Sequence, residues 1–190
     1  TKYTSVGGIE ELKDAVIAKF KRDNNLFYSR EEVLISCGGK HSIFNLFQAF
    51  LDQGDEVVIP SPYWVSYPAM VRLSGGTPVI VDTDERTCFK MTAEAFAKAI
   101  TKKTKAVVIN SPSNPTGCVY SPDELKAIAE AALKNNVVII SDEIYEKLTY
   151  GEVPFISIAS ISEEVKKNTI ALNGVSKTYS MTGWRIGYAA

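Results

Sequence analysis

The chain has 190 residues, 45% of them hydrophobic and 23% charged, and a formal net charge of −1. This size and composition are typical of one globular domain with a substantial core, and the balanced charge argues against binding to nucleic acid or to an anionic membrane surface. No apolar run approaches the length of a bilayer span, and no signal segment opens the chain. Three widely spaced cysteines (Cys37, Cys88 and Cys118) match neither a disulfide framework nor a zinc site, so we expect reduced thiols in a cytoplasmic protein.

The first half of the chain alternates helical patterns with short apolar runs. Hydrophobic residues three to four positions apart predict amphipathic helices over 9–20 and 40–51. A third helix is predicted over 63–73, although Pro68 lies within it, and a fourth over 92–100. Strands are predicted at 33–36, 56–59 and 79–81.

The second half repeats this alternation more plainly. The sequence Ser121-Pro122-Asp123-Glu124 combines a hydroxyl cap, a proline at the first helical position and a capping-box glutamate, and it predicts a helix that runs to about Lys134. Further strands are predicted at 106–110, 137–140, 170–172 and 185–189. Seven strands alternating with helices predict an α/β fold of three αβα layers around a mostly parallel seven-stranded sheet.

Polar clusters follow several of the predicted strands, at the sheet edge where ligands bind in such folds. They are Gly38-Gly39-Lys40, residues 110–117, Ser141-Asp142-Glu143 and residues 173–177. Taken singly, each cluster has another explanation. In chain order, these are a tight strand-to-helix turn, a proline turn, an acid pair that binds Mg²⁺, and a solvated lysine. Base rates likewise make Trp64 and Trp184 partly buried packing residues.

Two other kinds of site fit this sequence poorly. A nucleotide-binding P-loop needs glycine six residues and one residue before its lysine, and Lys177 has Ala171 and Ser176 there. Lys40 also fails the test, because no glycine stands six positions before it. A metal site is not expected either: His41 is the single histidine, and it is interpreted as a surface or cleft residue at the start of a helix.

The clusters together, in this order, resemble the class I and II aminotransferases of the fold-type I pyridoxal-phosphate family. The motifs that carry the resemblance are SKTYSMTGWRIG at 176–187, NSPSNPTG at 110–117, SDEIY at 141–145 and SPYW at 61–64. The resemblance extends from Tyr3 to Ala190. It implies that residues 1–190 form the large cofactor-binding domain, without an N-terminal segment and the C-terminal small domain. It also implies a homodimer with shared active sites.

The resemblance assigns roles in binding pyridoxal 5′-phosphate. Lys177 resembles the lysine that holds the cofactor aldehyde as a Schiff base and later moves the proton from the substrate Cα. Asp142 resembles the carboxylate that pairs with the pyridine nitrogen. Tyr145 and Asn114 resemble the pair that hydrogen-bonds the cofactor's 3′-oxygen. Trp64 resembles the aromatic residue that stacks on the ring.

The cofactor phosphate is expected to meet Arg185 and the backbone N–H groups of Gly39 and Lys40. Tyr3 resembles the tyrosine that reaches the phosphate of the neighbouring subunit. The sequence departs from many relatives at Gly38 and Gly174, where they place phosphate-binding serines, so fewer hydroxyl contacts are expected. Ser176 lies near these positions without an assigned role.

The substrate preference is expected to depend on Lys40, with Trp64 and Asn114 as further substrate-binding residues. A lysine after this glycine pair resembles a prokaryotic branch of aspartate aminotransferases, in which it lies near the substrate's distal carboxylate; the alternative is a solvated lysine. The expected reaction is transamination between aspartate and a 2-oxo acid such as 2-oxoglutarate. Alternatives are an aromatic, alanine or prephenate aminotransferase, a carbon–sulfur lyase, or a cofactor-sensing domain of a transcription regulator. Without a small domain, these 190 residues are expected to fold but not to transaminate.

Overall fold

The computed structural model describes residues 2–190, and in this part of the chain seven strands form one sheet with helices on both faces. The strand order is β1-β7-β6-β5-β4-β2-β3, with β7 antiparallel to both of its neighbours and every other pair parallel. The predicted α/β class with a mostly parallel sheet is therefore confirmed. The strands are β1 (Leu34–Ser36), β2 (Glu56–Ser61), β3 (Thr77–Asp82), β4 (Thr104–Asn110), β5 (Val138–Asp142), β6 (Thr169–Gly174) and β7 (Gly187–Ala189).

Six α-helices lie within the described residues, and a hydroxyl side chain caps the amino end of three of them, α4, α5 and α6. The Ser121 hydroxyl accepts a hydrogen bond from the Glu124 N–H, and the Glu124 carboxylate accepts one from the Ser121 N–H, so the predicted capping box is present. The helices are α1 (Glu10–Asn24), α2 (Gly39–Phe50), α3 (Ser66–Leu73), α4 (Ala93–Ala99), α5 (Pro122–Lys134) and α6 (Glu163–Lys167).

Two displaced element starts and one helix that was not predicted have local explanations. Helix α3 begins at Ser66 rather than at residue 63, which makes Pro68 its third residue, where the missing N–H interrupts no helical hydrogen bond. Helix α6, capped by the Ser162 hydroxyl, was not predicted because its five residues are too few to show a helical period. Strand β7 begins at Gly187 because Arg185 has a left-handed backbone conformation, with φ of 52°.

The central strands β4 and β5 are buried on both faces, and alternate residues of these strands contribute to different layers. Val107 and Ile139 pack in one core with Phe96 of α4 and with α5, whereas Val108 and Ile140 pack in a second core with α2 and α3. All of these side chains are at most 1% exposed. Because helices cover both faces, polar residues of the parallel strands can reach a ligand only where the strands end.

The last strand fills a gap between the first strand and the rest of the sheet. Strand β1 pairs with β7, with Leu34 opposite Ala189, and β7 in turn pairs with β6. Gly187 lies so close to the start of α2 that a Cβ there would be 2.3 Å from the carbonyl carbon of Gly38. Glycine is therefore required at 187, because backbone meets backbone at this point.

Candidate functional site

A cleft of about 260 Å³ opens at the carboxyl ends of β4, β5 and β6 and at the amino end of α2. Every site residue predicted from the sequence lines it, except Tyr3. The structure therefore brings residues from all four polar clusters to this one edge of the sheet. Six further residues line the cleft: Ile43, Tyr67, Asn110, Ile144, Ser176 and Thr182.

The floor of the cleft is the carboxylate of Asp142, the last residue of β5, which is 6% exposed. The Tyr67 hydroxyl donates to its Oδ2 at 2.5 Å, and the Ile144 N–H donates to its Oδ1 at 3.2 Å. Burial raises the pKa of Asp142 above the usual range, while the two hydrogen bonds act in the opposite direction. The cleft thus holds a buried carboxylate without a cationic partner among its own hydrogen bonds.

Two asparagines connect the neighbouring strand to this floor. The Asn110 amide donates to the Asp142 carbonyl oxygen at 2.9 Å, and its own oxygen accepts from the Asn114 N–H at 2.8 Å. Asn114 is thereby held beside Tyr145. Partial burial and the charge of Asp142 raise the pKa of Tyr145, and a hydrogen bond with Asn114 acts in the opposite direction. Asn114 and Tyr145 are therefore neighbours, as the resemblance requires of a pair that shares one ligand oxygen.

The amine of Lys177 enters the cleft from the turn that follows β6. The turn is closed by the Ser180 N–H, which donates to the Lys177 carbonyl oxygen at 3.2 Å. The side chain is half-buried, and its Nζ lies 5.8 Å from the centre of the Tyr145 ring. A primary amine that lines the same cleft as Tyr145 and the buried Asp142 carboxylate is suited to covalent chemistry with a bound carbonyl.

The opposite end of the cleft is built to receive an anion. Gly39 begins the twelve-residue helix α2, so its first N–H groups point out of the helix end. The Arg185 guanidinium lies beside them, with Nη1 donating to the Thr182 carbonyl oxygen at 2.8 Å. A guanidinium next to a helix amino end combines a full positive charge with free backbone donors.

Gly38 and Gly174 leave little room for a side chain. A Cβ at Gly38 would lie 2.5 Å from Arg185 Nη2, and one at Gly174 would lie 2.9 Å from the carbonyl oxygen of Ile186. Gly38 also has φ of 99°, which side chains other than glycine rarely adopt. Serine at either position would therefore displace its neighbours.

Lys40 and Trp64 form the outer wall of the cleft. The Lys40 Nζ lies 4.9 Å from the centre of the Trp64 ring, a cation–π distance. The Trp64 ring meets Tyr67 edge to face, with centroids 5.3 Å apart and planes at 88°. Lys40 is exposed, so its charge is available to a ligand that enters the cleft.

Three sequence interpretations have different outcomes. Tyr3 is fully exposed and does not line the cleft of its own chain, so its role toward a neighbouring subunit stays a prediction. The expectation that Trp184 is partly buried was wrong, because it is 70% exposed. His41 is exposed at the start of α2, where its Nδ1 accepts from the Cys37 N–H at 3.1 Å, as expected for a surface position.

Tyr67 is the most important residue that the sequence interpretation missed. It is 2% exposed, and the position in α3 gives no sign that its hydroxyl meets Asp142, 75 residues later in the chain. The one available signal was its place three residues after Trp64, which lies just before α3. The structure shows that contact directly.

A second buried polar group lies outside the cleft, where Glu143 follows the end of β5. Its Oε1 accepts hydrogen bonds from the hydroxyls of Ser141 at 2.9 Å and Ser157 at 2.6 Å. Burial raises the pKa of Glu143 to about 7. Nearby, Lys19 and Glu146 form a buried ion pair at 2.5 Å.

Two kinds of feature have no counterpart within residues 2–190. No cluster of three or more histidine, cysteine, aspartate or glutamate side chains in that range could hold a metal ion. No helix in the same range has the length and apolar character needed to cross a bilayer. The three cysteines are free thiols.

The chain is similar to known proteins over its whole length. A family model described as aminotransferase class I and II matches residues 1–190. Aspartate aminotransferases from Bacillus sp. (strain YM-2) and Bacillus subtilis (strain 168) are 60% and 55% identical to it over all 190 residues. The chain spans about half the length of these relatives, 48% in both cases.

The fold agrees with solved structures of the same kind. The aspartate aminotransferase of Thermus thermophilus with maleate is 47% identical, with a TM-score of 0.95 over all of this chain and 49% of the other. The aspartate aminotransferase from Rhizobium meliloti is 43% identical, with a TM-score of 0.97 over all of this chain and 48% of the other. With a family model that matches from end to end, the chain belongs to the class I and II aminotransferase family.

Proposed function

We propose that residues 1–190 form the pyridoxal-phosphate-binding domain of an aminotransferase that transfers the amino group of aspartate to 2-oxoglutarate. One observation carries the proposal: the Lys177 amine, the Asp142 carboxylate and the Arg185 guanidinium line the same cleft. The identities of 55–60% to aspartate aminotransferases support the choice of reaction.

The donor set of the cleft fits this cofactor. An aromatic ring with a basic nitrogen suits a buried carboxylate, and Asp142 is buried without a cation among its hydrogen-bond partners. A phosphate suits Arg185 and the first N–H groups of α2, including those of Gly39 and Lys40. Gly38 supports this fit, because a side chain there would fill the space beside the Arg185 guanidinium.

When bound, pyridoxal phosphate would supply an aldehyde for the amino group and a ring that withdraws electrons from the substrate Cα. The Nζ of Lys177 would hold the cofactor and, as a free amine, would take the proton from the substrate Cα. Asp142 would hold a proton on the ring nitrogen. Asn114 and Tyr145 would orient the ring through its hydroxyl oxygen, and Trp64 would cover one face.

Preference for aspartate is assigned to Lys40. Its exposed ammonium group at the outer wall suits the distal carboxylate of a dicarboxylic substrate, and the Trp64 ring keeps it beside the cleft. The solved structure of the Thermus thermophilus aspartate aminotransferase is one with maleate, which is a small dicarboxylate. Trp64 and Asn114 would complete the substrate pocket.

A second amino-group acceptor is supported by another set of relatives. Proteins named probable aspartate/prephenate aminotransferases in Rickettsia conorii and Rickettsia bellii are 54% identical over the full chain. Prephenate also carries two carboxylates, so the same Lys40 ammonium could bind it. Activity with prephenate and aspartate, measured beside activity with 2-oxoglutarate, separates the two assignments.

The proposal includes a homodimer with shared sites in the cytoplasm. Tyr3 is fully exposed and free of its own cleft, as a residue that serves a neighbouring subunit would be. Light scattering of the protein that contains this chain tests the dimer.

The central test is chemical labelling of the cofactor lysine. Borohydride reduction of the cofactor-loaded protein, followed by peptide mapping, should find the cofactor on Lys177. Lys177→Ala should lose aspartate–2-oxoglutarate turnover by several orders of magnitude, because the covalent and proton-transfer roles vanish together. Lys40→Ala should still be labelled at Lys177. Label on another lysine in the unsubstituted protein would overturn the assignment.

A further inference from the structure

Tyr67 has no role in the function proposed above, yet it makes the shortest contact to the functional carboxylate. It is the second residue of α3, packed in the core between the sheet and α2, and it is 2% exposed. Its hydroxyl donates to Asp142 Oδ2 at 2.5 Å, which is the distance of a charge-assisted O–H···O⁻ hydrogen bond. Trp64 meets its ring edge to face, so the ring orientation is fixed by packing.

The two oxygens of Asp142 each have one protein donor, and the donors differ in kind. The Ile144 N–H donates to Oδ1 and belongs to the backbone, so no substitution other than proline removes it. The Tyr67 hydroxyl on Oδ2 is the one side-chain donor in this pair. Burial favours the neutral acid at this position, and hydrogen bonds to the carboxylate favour the ionised form.

Tyr67 can serve only as a donor in this arrangement. Burial and the negative charge of Asp142 raise the pKa of Tyr67 well above the usual 10, so its hydroxyl keeps its proton under physiological conditions. A phenol that stays protonated beside a buried carboxylate biases the carboxylate toward its charged form. Phenylalanine would keep the ring and its packing and remove that bias.

We propose that Tyr67 is a positioning residue that keeps Asp142 ionised and oriented, so that the proton between Asp142 and the cofactor ring nitrogen stays on the nitrogen. This inference rests on the proposed function. Without the Tyr67 donor, the carboxylate becomes more basic and takes that proton as a neutral acid, which leaves the ring nitrogen unprotonated. The proton is conserved and no other group is consumed.

Other titratable groups share the cleft with Asp142, and a test must separate them from Tyr67. They are Tyr145, Lys177, Lys40 and Arg185. Of these, Tyr145 has its pKa raised by the charge of Asp142. A pH profile alone does not identify which group is responsible for a change, so the main readout is the protonation of the cofactor nitrogen itself.

The experiment uses the full chain that contains these residues, loaded with pyridoxal phosphate carrying ¹⁵N in the ring. Tyr67→Phe should move the ¹⁵N resonance toward its unprotonated value and lower kcat/KM for aspartate about ten- to a hundred-fold. The acid limb of the kcat/KM profile should move to higher pH, because Asp142 then stays protonated over a wider range. The matched control is Tyr188→Phe, which removes a buried tyrosine hydroxyl from β7, outside the cleft, and should leave the resonance unchanged.

A double-mutant cycle with Asp142→Asn tests whether Tyr67 acts through Asp142. In the Asp142→Asn protein, adding Tyr67→Phe should change neither the ¹⁵N resonance nor cofactor affinity, whereas additive effects would overturn the inference. Should Tyr67→Phe fail to fold, 3-fluorotyrosine at position 67 keeps the shape and makes a stronger donor. It should move the acid limb to lower pH, and an unmoved limb would count against the role.

The two proposals fail in different ways. An unsubstituted protein that binds no pyridoxal phosphate, or binds it without label on Lys177, overturns the proposed function. A protein that is labelled on Lys177 and has a protonated ring, with Tyr67→Phe indistinguishable from it, overturns only the role of Tyr67.

Discussion

Replacing Glu143 by glutamine should stabilise the protein in neutral and alkaline solution. Glu143 is 1% exposed, and its Oε1 accepts the hydroxyls of Ser141 and Ser157, while Oε2 has no hydrogen-bond partner within residues 2–190. Ionising this carboxyl therefore places a charge in the core with little compensation. Glutamine has the same shape, keeps an oxygen for both hydroxyls and carries no charge.

The size of the effect follows from the pKa of Glu143, which burial raises from the usual 4.5 to about 7. The folded state then binds the proton more tightly than the unfolded state, so stability is lost as the pH rises from the unfolded pKa through the folded one. At about 1.4 kcal/mol per pKa unit, the glutamine variant gains under about 1 kcal/mol near pH 5 and about 3 kcal/mol above pH 8.

Urea denaturation at several pH values from about 5 to 9 measures this difference, with the unsubstituted protein beside each variant. Groups common to both proteins cancel in the comparison, so the pH dependence of the difference belongs to Glu143. Glu130→Gln, an exposed glutamate of α5, is the matched control and should give a difference that does not grow with pH. Parallel pH profiles for Glu143→Gln and the unsubstituted protein would refute the reasoning.

Two predictions concern the cleft. Asp142→Ala should cause a large fall in transamination with a modest loss of cofactor affinity, because the Arg185 and helix-end contacts to the phosphate remain; a near-normal rate would assign the ring nitrogen to a different partner. Lys40→Ala should raise KM for aspartate and glutamate about ten- to a hundred-fold and leave alanine nearly unchanged, as the loss of one charge-assisted hydrogen bond predicts. Steady-state kinetics on the three amino acids check this, and an equal loss for all of them would exclude a contact to the distal carboxylate.

The layers of the fold could be predicted because local patterns determined them. Continuous apolar runs such as 137–140 predict strands covered on both faces, and the capping box at Ser121 fixes where α5 begins. The strand order was not predicted, since pairing between segments such as β1 and β7 leaves no local signal.

Site residues could be predicted where a motif and a strand end coincide. Asp142 ends β5 and Lys177 lies in the turn after β6, so the pairing of these two parallel strands brings them to the same edge of the sheet. Tyr67 could not be found this way, because its importance comes from a hydrogen bond across the core and not from its neighbours in sequence. The exposure of Trp184 was missed for the opposite reason, since a general tendency of tryptophan was applied to one surface loop.

The position of β7 between β1 and β6 has a consequence for how the protein folds during synthesis. Leu34 of β1 has its partner in Ala189, about 150 residues later, so β1 leaves the ribosome long before the strand that anchors it. Contacts of such high sequence separation are slow to form. Strands β2 to β6 pair without β7 and can assemble first, whereas α1 and β1 wait with their apolar side chains unpaired. The apolar side chains of α1 and β1 therefore stay exposed for as long as the ribosome needs to translate residues 37 to 189. During this time they are open to binding by a chaperone or to contact with other nascent chains.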